Sequence, residues 1–459
     1  MLFFSHYLFI FLHEIMIIIE DTGIYMKVNG IIAEYNPFHN GHNYQLKESL
    51  RLTGADFTIV VMSGNFVQRG APALLDKHTR AEMALRCGAD LVLELPTLYA
   101  VSSAEYFAGG AVTLLDQLGV VTHLCFGSEC GRTESLCQIA ACLSEEPAEY
   151  SAALRRCLKS GLPYPLARAR ALAEVHTLLP QNCLCLPETD ESVSGKGPLL
   201  PEAFDSILSS PNNILGIEYI RALLNRKSSM IPITVKRLGA GYHDKFISGS
   251  DCLCSALAIR QALYNASPKG PLLHMPPESE MLLRAWLREY RPVCSDAFSS
   301  ALYYKLLMEK ESGYEKYLDV PAELSNRIRK QLNSFAGYES FCHLLKTKNM
   351  TYTRISRCLL HILLDLKKED MITAKALDYV PYARVLGFRR AAEPLLGAVR
   401  KCASIPLVTK IADAEKSLSA DAYRLLRQDI QAGDFFRCVA FEGSGKAVGS
   451  ELSLSPVIV

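Results

Sequence analysis

His39-Asn40-Gly41-His42 sets two imidazoles three residues apart, just after the turn Asn36-Pro37. The run before that turn, Val28 to Tyr35 (VNGIIAEY), is apolar and ends in polar residues. A helix opening at His39 would offer unpaired backbone N–H groups and the positive end of its dipole, which suits a phosphate. Gly41 would remove a side chain where a phosphate must approach the backbone. Residues three apart share a helical face. Two imidazoles so placed can donate hydrogen bonds to phosphate oxygens and strengthen them as charge develops at phosphorus. The chain lacks GxxxxGK[ST], so the phosphate chemistry is not that of a P-loop. It also lacks HExxH, which excludes the common helical zinc pair. The bland alternative is a pair of ordinary helix-start histidines. It fits poorly with a position directly behind the first strand of an α/β pattern.

That pattern is repeated. Near-continuous apolar runs read as strands buried on both faces at Val28–Tyr35, Phe57–Met62, Asp90–Leu95 and Val121–Phe126, with a fifth at Ile233–Leu238. Helical periodicity fills His42–Leu52, Asp76–Arg86, Ser103–Leu118 and 132–176, and resumes near Asn213. Strand–helix alternation predicts a doubly wound parallel sheet over residues 26–265. Pro180–Leu200 reads as a surface loop. From about Lys269 to residue 430 the pattern is helical. The expected fold is therefore α/β, a Rossmann-like parallel-sheet domain followed by an all-α C-terminal domain over residues 266–459.

Composition narrows the class. With 49% apolar and 21% charged residues in 459, the chain is of globular type. Net charge is +1, but Pro321 to Lys410 holds 16 Lys and Arg against 7 Asp and Glu. A basic C-terminal stretch on an acidic remainder predicts a polyanion surface. Its bases include Arg327, Arg329, Lys330, Lys346, Lys348, Arg354, Arg357, Arg384, Arg389 and Arg390, interleaved with Tyr352, Tyr382 and Phe388. Phosphate contacts with stacking aromatics suit an RNA loop with splayed bases, although a solvated helical face gives a similar charge run. Fifteen cysteines without a CxxC pair read as reduced thiols of a cytoplasmic protein; Cys183/Cys185 and Cys252/Cys254 have no partner at zinc spacing. Residues 1–25 are apolar but carry no Lys or Arg. They are expected to be a mis-assigned or unstructured extension, with a membrane anchor as the alternative.

Single residues add weight at the strand ends. Gly127 follows the fourth strand, where open α/β sheets bind ligands, unless it is a turn glycine of positive φ. Arg237 closes the fifth strand and can fork onto phosphate. Asn212 and Asn213 stand at a helix start, where Asn commonly caps. Gln68, Arg69, Lys77 and Arg80 sit near strand ends as pocket candidates, and Asp76 reads equally well as a cap.

Here the chain resembles a known family. HxGH after the first strand is similar to the nucleotidylyltransferase superfamily, whose members attack the α-phosphate of ATP and release pyrophosphate. The longer strings IIAEYNPFHNGH and Met62–Leu85 (MSGNFVQRGAPALLDKHTRAEMAL) resemble the tRNA(Met) cytidine acetate ligases within it. So do Leu93–Pro96, Phe126–Glu129, Ser210–Tyr219, Gly241–Asp244, Ser255–Arg260, Tyr352–Arg354 and Pro381–Phe388, in that order. The resemblance runs from about Met26 to the C-terminus. It implies activation of acetate as acetyl-adenylate, then transfer to the wobble cytidine of elongator tRNA(Met). ATP would be the co-substrate, with Mg²⁺ on its phosphates and no metal site in the protein. By carry-over His39 and His42 are catalytic. The ATP site comprises Ile32, Ala33, Glu34, Tyr35, Asn36, Pro37, Phe38, Asn40, Gly41, Asn43, Tyr44, Gln45, Gly127, Asn212 and Arg237. Asn213 is then left as the helix cap. Ser255 and Arg260 fall in a second phosphate motif, where Leu257 replaces the family's usual Thr. Lys346, Lys348, Arg354, Arg357, Arg384 and Arg389 are expected to touch tRNA. No protein partner is implied, and no membrane unless residues 1–25 are real. Two other functions stay open: a small-molecule adenylyltransferase, and an RNA-binding protein with a relic nucleotide site.

Overall fold

A computed structural model describes residues 26–162, 164–175, 203–238, 254–265, 272–348 and 350–459. The apolar N-terminal 25 residues, the Pro180–Leu200 loop, Cys183, Cys185, Cys252 and the Gly241–Asp244 string lie outside these.

The expected strands form. β1 (Val28–Ala33) is followed by α1 (Asn40–Thr53), then β2 (Phe57–Ser63). A two-stranded hairpin, β3 (Phe66–Val67) and β4 (Ala71–Pro72), precedes α2 (Lys77–Arg86). β5 (Leu91–Leu95), α3 (Ala104–Gln117) and β6 (His123–Ser128) continue the alternation. The region 132–176 breaks into helices Thr133–Glu145, Ala148–Lys159 and Tyr164–Glu174. Then come α4 (Pro211–Arg226), β7 (Ile231–Lys236), α5 (Ala256–Tyr264) and α6 (Pro277–Glu289). β5, β2, β1, β6 and β7 lie side by side and parallel. Alternation along β1 shows the double winding. Asn29 Nδ2 donates to Ser49 of α1 at 2.9 Å, whereas Gly30 faces Leu115 of α3 on the other side.

The C-terminal part is helical but not all-α. β8 (Ala383–Phe388) joins the edge of β5 antiparallel; β9 (Leu407–Val408) and β10 (Val457–Ile458) flank β8. The run ARVLGF carries Val385, Leu386 and Phe388, and its pairing with the edge of β5 overrides the helical reading. As a result the main core is continuous from Val28 to Ala440 and includes the long helix α11 (Ala420–Ala440), introduced here with α7 (Ser299–Met308), α8 (Ala322–Gln331), α9 (Tyr338–Leu345) and α10 (Tyr352–Leu363). Helices α7 to α10 enclose a second, smaller core from Leu302 to Ile362. This helical module docks on the β3–β4 hairpin. Gly70 (φ +78) lies against the backbone of Ser356 and Arg357, and its carbonyl accepts from the Ser356 hydroxyl at 2.7 Å. A side chain at Gly70 would collide with that backbone. Among the described residues no helix is long and apolar enough to cross a membrane, and no disulfide forms.

Candidate functional site

The HxGH segment sits where β1 ends. Its first histidine is not in the helix but caps it. His39 is extended (φ −137, ψ 176), and its Nδ1 accepts from the Gly41 N–H at 3.0 Å. His42, in the first turn, returns the contact: its Nδ1 accepts from the His39 N–H at 3.3 Å. This is a capping box built from imidazoles rather than from Ser and Glu. A nitrogen that accepts carries no proton, so in the neutral ring the proton is on Nε2. Both imidazoles are thereby held as Nε2–H donors. Their rings lie 3.8 Å apart at centroid. A Cβ on Gly41 would meet His39 Cε1 at 2.7 Å, so the glycine makes room for the imidazole itself. Sequence spacing alone assigns that space to phosphate.

Burial pushes the His39 imidazole from 6.5 down to about 3, helped by the nearby cations Arg237 and Arg260 and by His274. His42 is likewise driven well down, first by burial and then by His39, Arg237 and Arg260. Both rings are neutral at pH 7. Below them Tyr35 and Phe38 pack edge-on, with Tyr35 4.9 Å from His42 and 4.7 Å from Phe38. Asn36 Oδ1 accepts from Leu74 N at 2.8 Å, Arg80 donates to the Glu34 carbonyl at 2.6 Å, and Ser279 Oγ donates to the Phe38 carbonyl at 2.8 Å. Asn40 N donates to the His274 carbonyl at 2.9 Å. The loop is held from four directions.

The cleft in front of the imidazoles is lined by His39, Gly41, His42, Tyr44, Gln45, Gly127, Lys236, Arg237 and Ser255, among others. β6 and β7 end beside β1 and deliver Gly127 and Arg237. Gly127 is not at positive φ; its Cα faces the Arg237 stem at 3.5 Å from a built Cβ. Ser255 caps α5, accepting from Ala258 N at 3.2 Å, so a second helix N-terminus opens on the cleft. Arg260, one turn in, donates to the Asn36 carbonyl at 2.6 Å and ties α5 to the HxGH turn. The arrangement gathers imidazole donors, exposed Arg237 and Lys236, and two helix starts around one space, which is chemistry for a polyphosphate. A larger cavity, about 350 Å³, lies between α6 and α11. The smaller cleft is the better phosphate site because the donors converge there.

Other nominated residues separate. Ile32 and Ala33 end β1, and Pro37, Asn40 and Asn43 frame the turn and first helical turn. The Glu34 carboxylate accepts from Gln68 N at 3.0 Å, linking the loop to the hairpin. Asn212 Nδ2 donates to Glu129 at 2.6 Å. Asn213 is not the cap: the Glu129 carboxylate accepts its N–H at 2.9 Å, while Asn213 Oδ1 accepts from Glu129 and Cys130 N–H groups. Glu129 is a site-organising residue that only the FGSE string hinted at. Asp76 does cap α2, accepting from His78 and Thr79 N–H groups. Lys77 and Arg80 are buried and structural, not pocket-lining.

Of the expected RNA contacts, Arg384 is overturned. It is 1% exposed, in β8, and its guanidinium pairs with Glu94 at 2.8 Å and Glu451 at 2.7 Å, beside Lys77. A strand alternates its faces, and position 384 points inward. Tyr382 is buried too, donating to Asp429 at 2.7 Å. Arg389 pairs with Asp90 at 3.3 Å. Lys346, Lys348 and Arg354 are exposed, and Arg357 half-buried, around the start of α10.

Comparison with known proteins agrees with this geometry. A family model described as HIGH Nucleotidyl Transferase matches residues 26–448. The tRNA(Met) cytidine acetate ligase of Acetivibrio thermocellus is 38% identical over 439 residues, covering 95% of this chain and 100% of the relative. That of Clostridium perfringens strain SM101 is 38% identical, covering 94% and 100%. The crystal structure of Thermotoga maritima TmcAL bound with alpha-thio ATP superposes with a TM-score of 0.82 at 32% identity, covering 94% of this chain and 99% of that one. Its apo form gives 0.83 at 32%, covering 95% and 100%. On the imidazole-capped helix, the parallel sheet and matches that run the length of both chains, the protein belongs to the tRNA(Met) cytidine acetate ligase family of HIGH nucleotidyl transferases.

Proposed function

We propose that the protein is an ATP-dependent ligase of the cytoplasm that activates acetate at the HxGH cleft and acetylates the wobble cytidine of elongator tRNA(Met). The observation that carries this reading is the reciprocal histidine cap, which fixes two neutral Nε2–H donors at a helix N-terminus beside Arg237 and Ser255. In the first step a carboxylate oxygen of acetate attacks the α-phosphorus of ATP. The bond from that phosphorus to the bridging oxygen breaks, and pyrophosphate leaves with the electron pair. His39 and His42 donate to the phosphate oxygens on which charge grows; Arg237 neutralises the leaving group. In the second step the exocyclic amine of cytidine attacks the acetyl carbonyl, AMP leaves, and the amine loses a proton. No enzyme nucleophile is needed, because the mixed anhydride is carried by the substrate.

The donor set of imidazole, guanidinium and hydroxyl fits phosphate oxygens rather than a hard cation. Mg²⁺ would therefore arrive on the ATP phosphates and supply charge neutralisation there. Among the described residues no cluster of His, Cys, Asp and Glu suits a metal ion. Lys346, Lys348, Arg354 and Arg357 form the proposed tRNA surface, joined to the cleft through the β3–β4 hairpin. The test is incubation with ATP, labelled acetate and bulk tRNA, followed by nucleoside mass spectrometry. Acetylcytidine at one anticodon position in tRNA(Met) supports the reading. Pyrophosphate release without an RNA mark would instead favour a small-molecule adenylyltransferase.

A further inference from the structure

Three carboxylates stand at the carboxyl ends of sheet strands: Glu34 just after β1, Glu94 in β5 and Glu129 just after β6. Two of them are fully engaged. Glu94 pairs with Lys77 and Arg384 inside the core. Glu129 spends both oxygens on the start of α4, Oε1 accepting from Asn212 Nδ2 at 2.6 Å and Oε2 from Asn213 N at 2.9 Å. Glu34 is different. Its Oε1 accepts from Gln68 N at 3.0 Å, and Arg80 holds its main-chain carbonyl at 2.6 Å. Among the described residues its Oε2 has neither a hydrogen bond nor an ion pair, and that atom is open to solvent. The result is a carboxylate pinned by one oxygen and available at the other.

Register places that residue at the cleft. β1 and β6 run parallel with Ile31 opposite Cys125. Two residues on, the same register sets Ala33 beside Gly127, which lines the cleft. Neighbouring strands lie about 4.8 Å apart, so Glu34 leaves the sheet at the cleft's edge. Strand order also reverses here, with β2 and β5 on one side of β1 and β6 and β7 on the other. Open α/β sheets bind ligands at such a crevice. Gln68, which pins the carboxylate, lies in the hairpin loop whose Gly70 seats the helical module proposed to bind tRNA. A carboxylate repels phosphate oxygens, so an available one at this edge suits a hydrogen-bond donor rather than the polyphosphate. The exocyclic amine of cytosine is such a donor, and carboxylates accept from it. That amine is also a weak nucleophile, because its lone pair is delocalised into the ring. Its attack leaves positive charge on nitrogen and a proton to be removed. We propose that Glu34 is the general base of the acetyl-transfer step. The amine lone pair forms the C–N bond to the acetyl carbon, and the bond from that carbon to the AMP oxygen breaks with its electron pair going to AMP. The amine proton passes to Glu34 Oε2 and from there to water. The proposal rests on the ligase reading above.

The two half-reactions can be read separately on the full chain. Hydroxylamine, a nucleophile that needs no base, captures acetyl-adenylate as acetyl-hydroxamate, and tRNA(Met) captures it as acetylcytidine. Glu34→Gln keeps an oxygen for the Gln68 N–H but presents N–H groups where the amine needs an acceptor. The ratio of acetylcytidine rate to hydroxamate rate is expected to fall about 10²–10⁴-fold in this variant, the usual worth of a general base. Glu34→Asp draws the carboxylate back by one methylene and is expected to lower the same ratio by about 10- to 10²-fold. It carries the test if Glu34→Gln does not fold. An unchanged ratio in either folded variant would overturn the assignment. So would hydroxamate formation that collapses in Glu34→Gln and returns with excess Mg²⁺, which would make Glu34 a cation ligand. Wild type that gives no acetylcytidine counts against the ligase reading itself. Wild type that gives both products, with the ratio unmoved in the variants, counts against Glu34 alone.

Discussion

His39 does two things with two nitrogens. Nδ1 caps α1, and Nε2–H points a proton at the cleft. The roles can be separated, because Asn is a good N-cap and lacks the second donor. His39→Asn is expected to fold with stability within ~1 kcal/mol of wild type and to lose about 10²–10³ in adenylation rate. Thermal melts and pyrophosphate exchange check the two halves; a variant that keeps its rate would remove His39 from the chemistry. The same residue gives a pH signature. Its folded value, about 3, lies below the ordinary 6.5 because burial resists the charge. The folded protein therefore binds fewer protons than the unfolded chain between those values. Its contribution to stability is complete above pH 6.5 and falls as pH drops toward 3. His39→Asn should flatten the fall of melting temperature between pH 7 and pH 4, and superimposable profiles would contradict the assigned burial.

At the scale of elements, β8 is where sequence and structure part. The five parallel strands were legible because each is buried on both faces and so reads as an unbroken apolar run. β8 was not, since it lies in a long helical stretch and its Arg384 looked like part of a basic face. Only the pairing with Glu94 on β5 and Glu451 near β10 gives that arginine a reason to be inside. Neither contact is local, so no spacing in the chain announces it. The HxGH signal was visible for the opposite reason: cap, glycine and second histidine are all within four residues. Glu129, just past β6, accepts from the first N–H groups of α4, and Asn213 returns the contact by accepting from the Glu129 and Cys130 N–H groups; periodicity could not show that. Removing one partner of a buried ion cluster leaves uncompensated charge. Arg384→Ala should cost about 3–5 kcal/mol of stability. Denaturant unfolding would measure this, and a loss below ~1 kcal/mol would mean the cluster reorganises freely.

Across the whole molecule, one core carries the sheet and the returning C-terminal strands, and a smaller one carries the helical module. The hairpin joins them: Gln68 holds Glu34 next to the HxGH turn, and Gly70 holds Ser356 on α10. The exposed bases Lys346, Lys348 and Arg354 thus stand on a module that is fixed relative to the cleft. They are expected to bind phosphate without choosing sequence. Replacing Lys346 and Lys348 with Ala should weaken all tRNAs alike and reduce the slope of log affinity against log salt by about 1.4, roughly 0.7 for each contact to single-stranded RNA. Filter binding over a salt series reads that slope, and an unchanged slope would move the RNA surface elsewhere. Arg384→Ala, by contrast, should alter stability and leave the slope alone.

In the proposed reaction the capped histidine pair drives adenylation of a small carboxylic acid. ATP–pyrophosphate exchange in the absence of RNA tests it most directly. Exchange is expected to require acetate and to collapse in His39→Asn while the variant remains folded. Exchange that proceeds without acetate, or that survives loss of the Nε2–H donor, would contradict it.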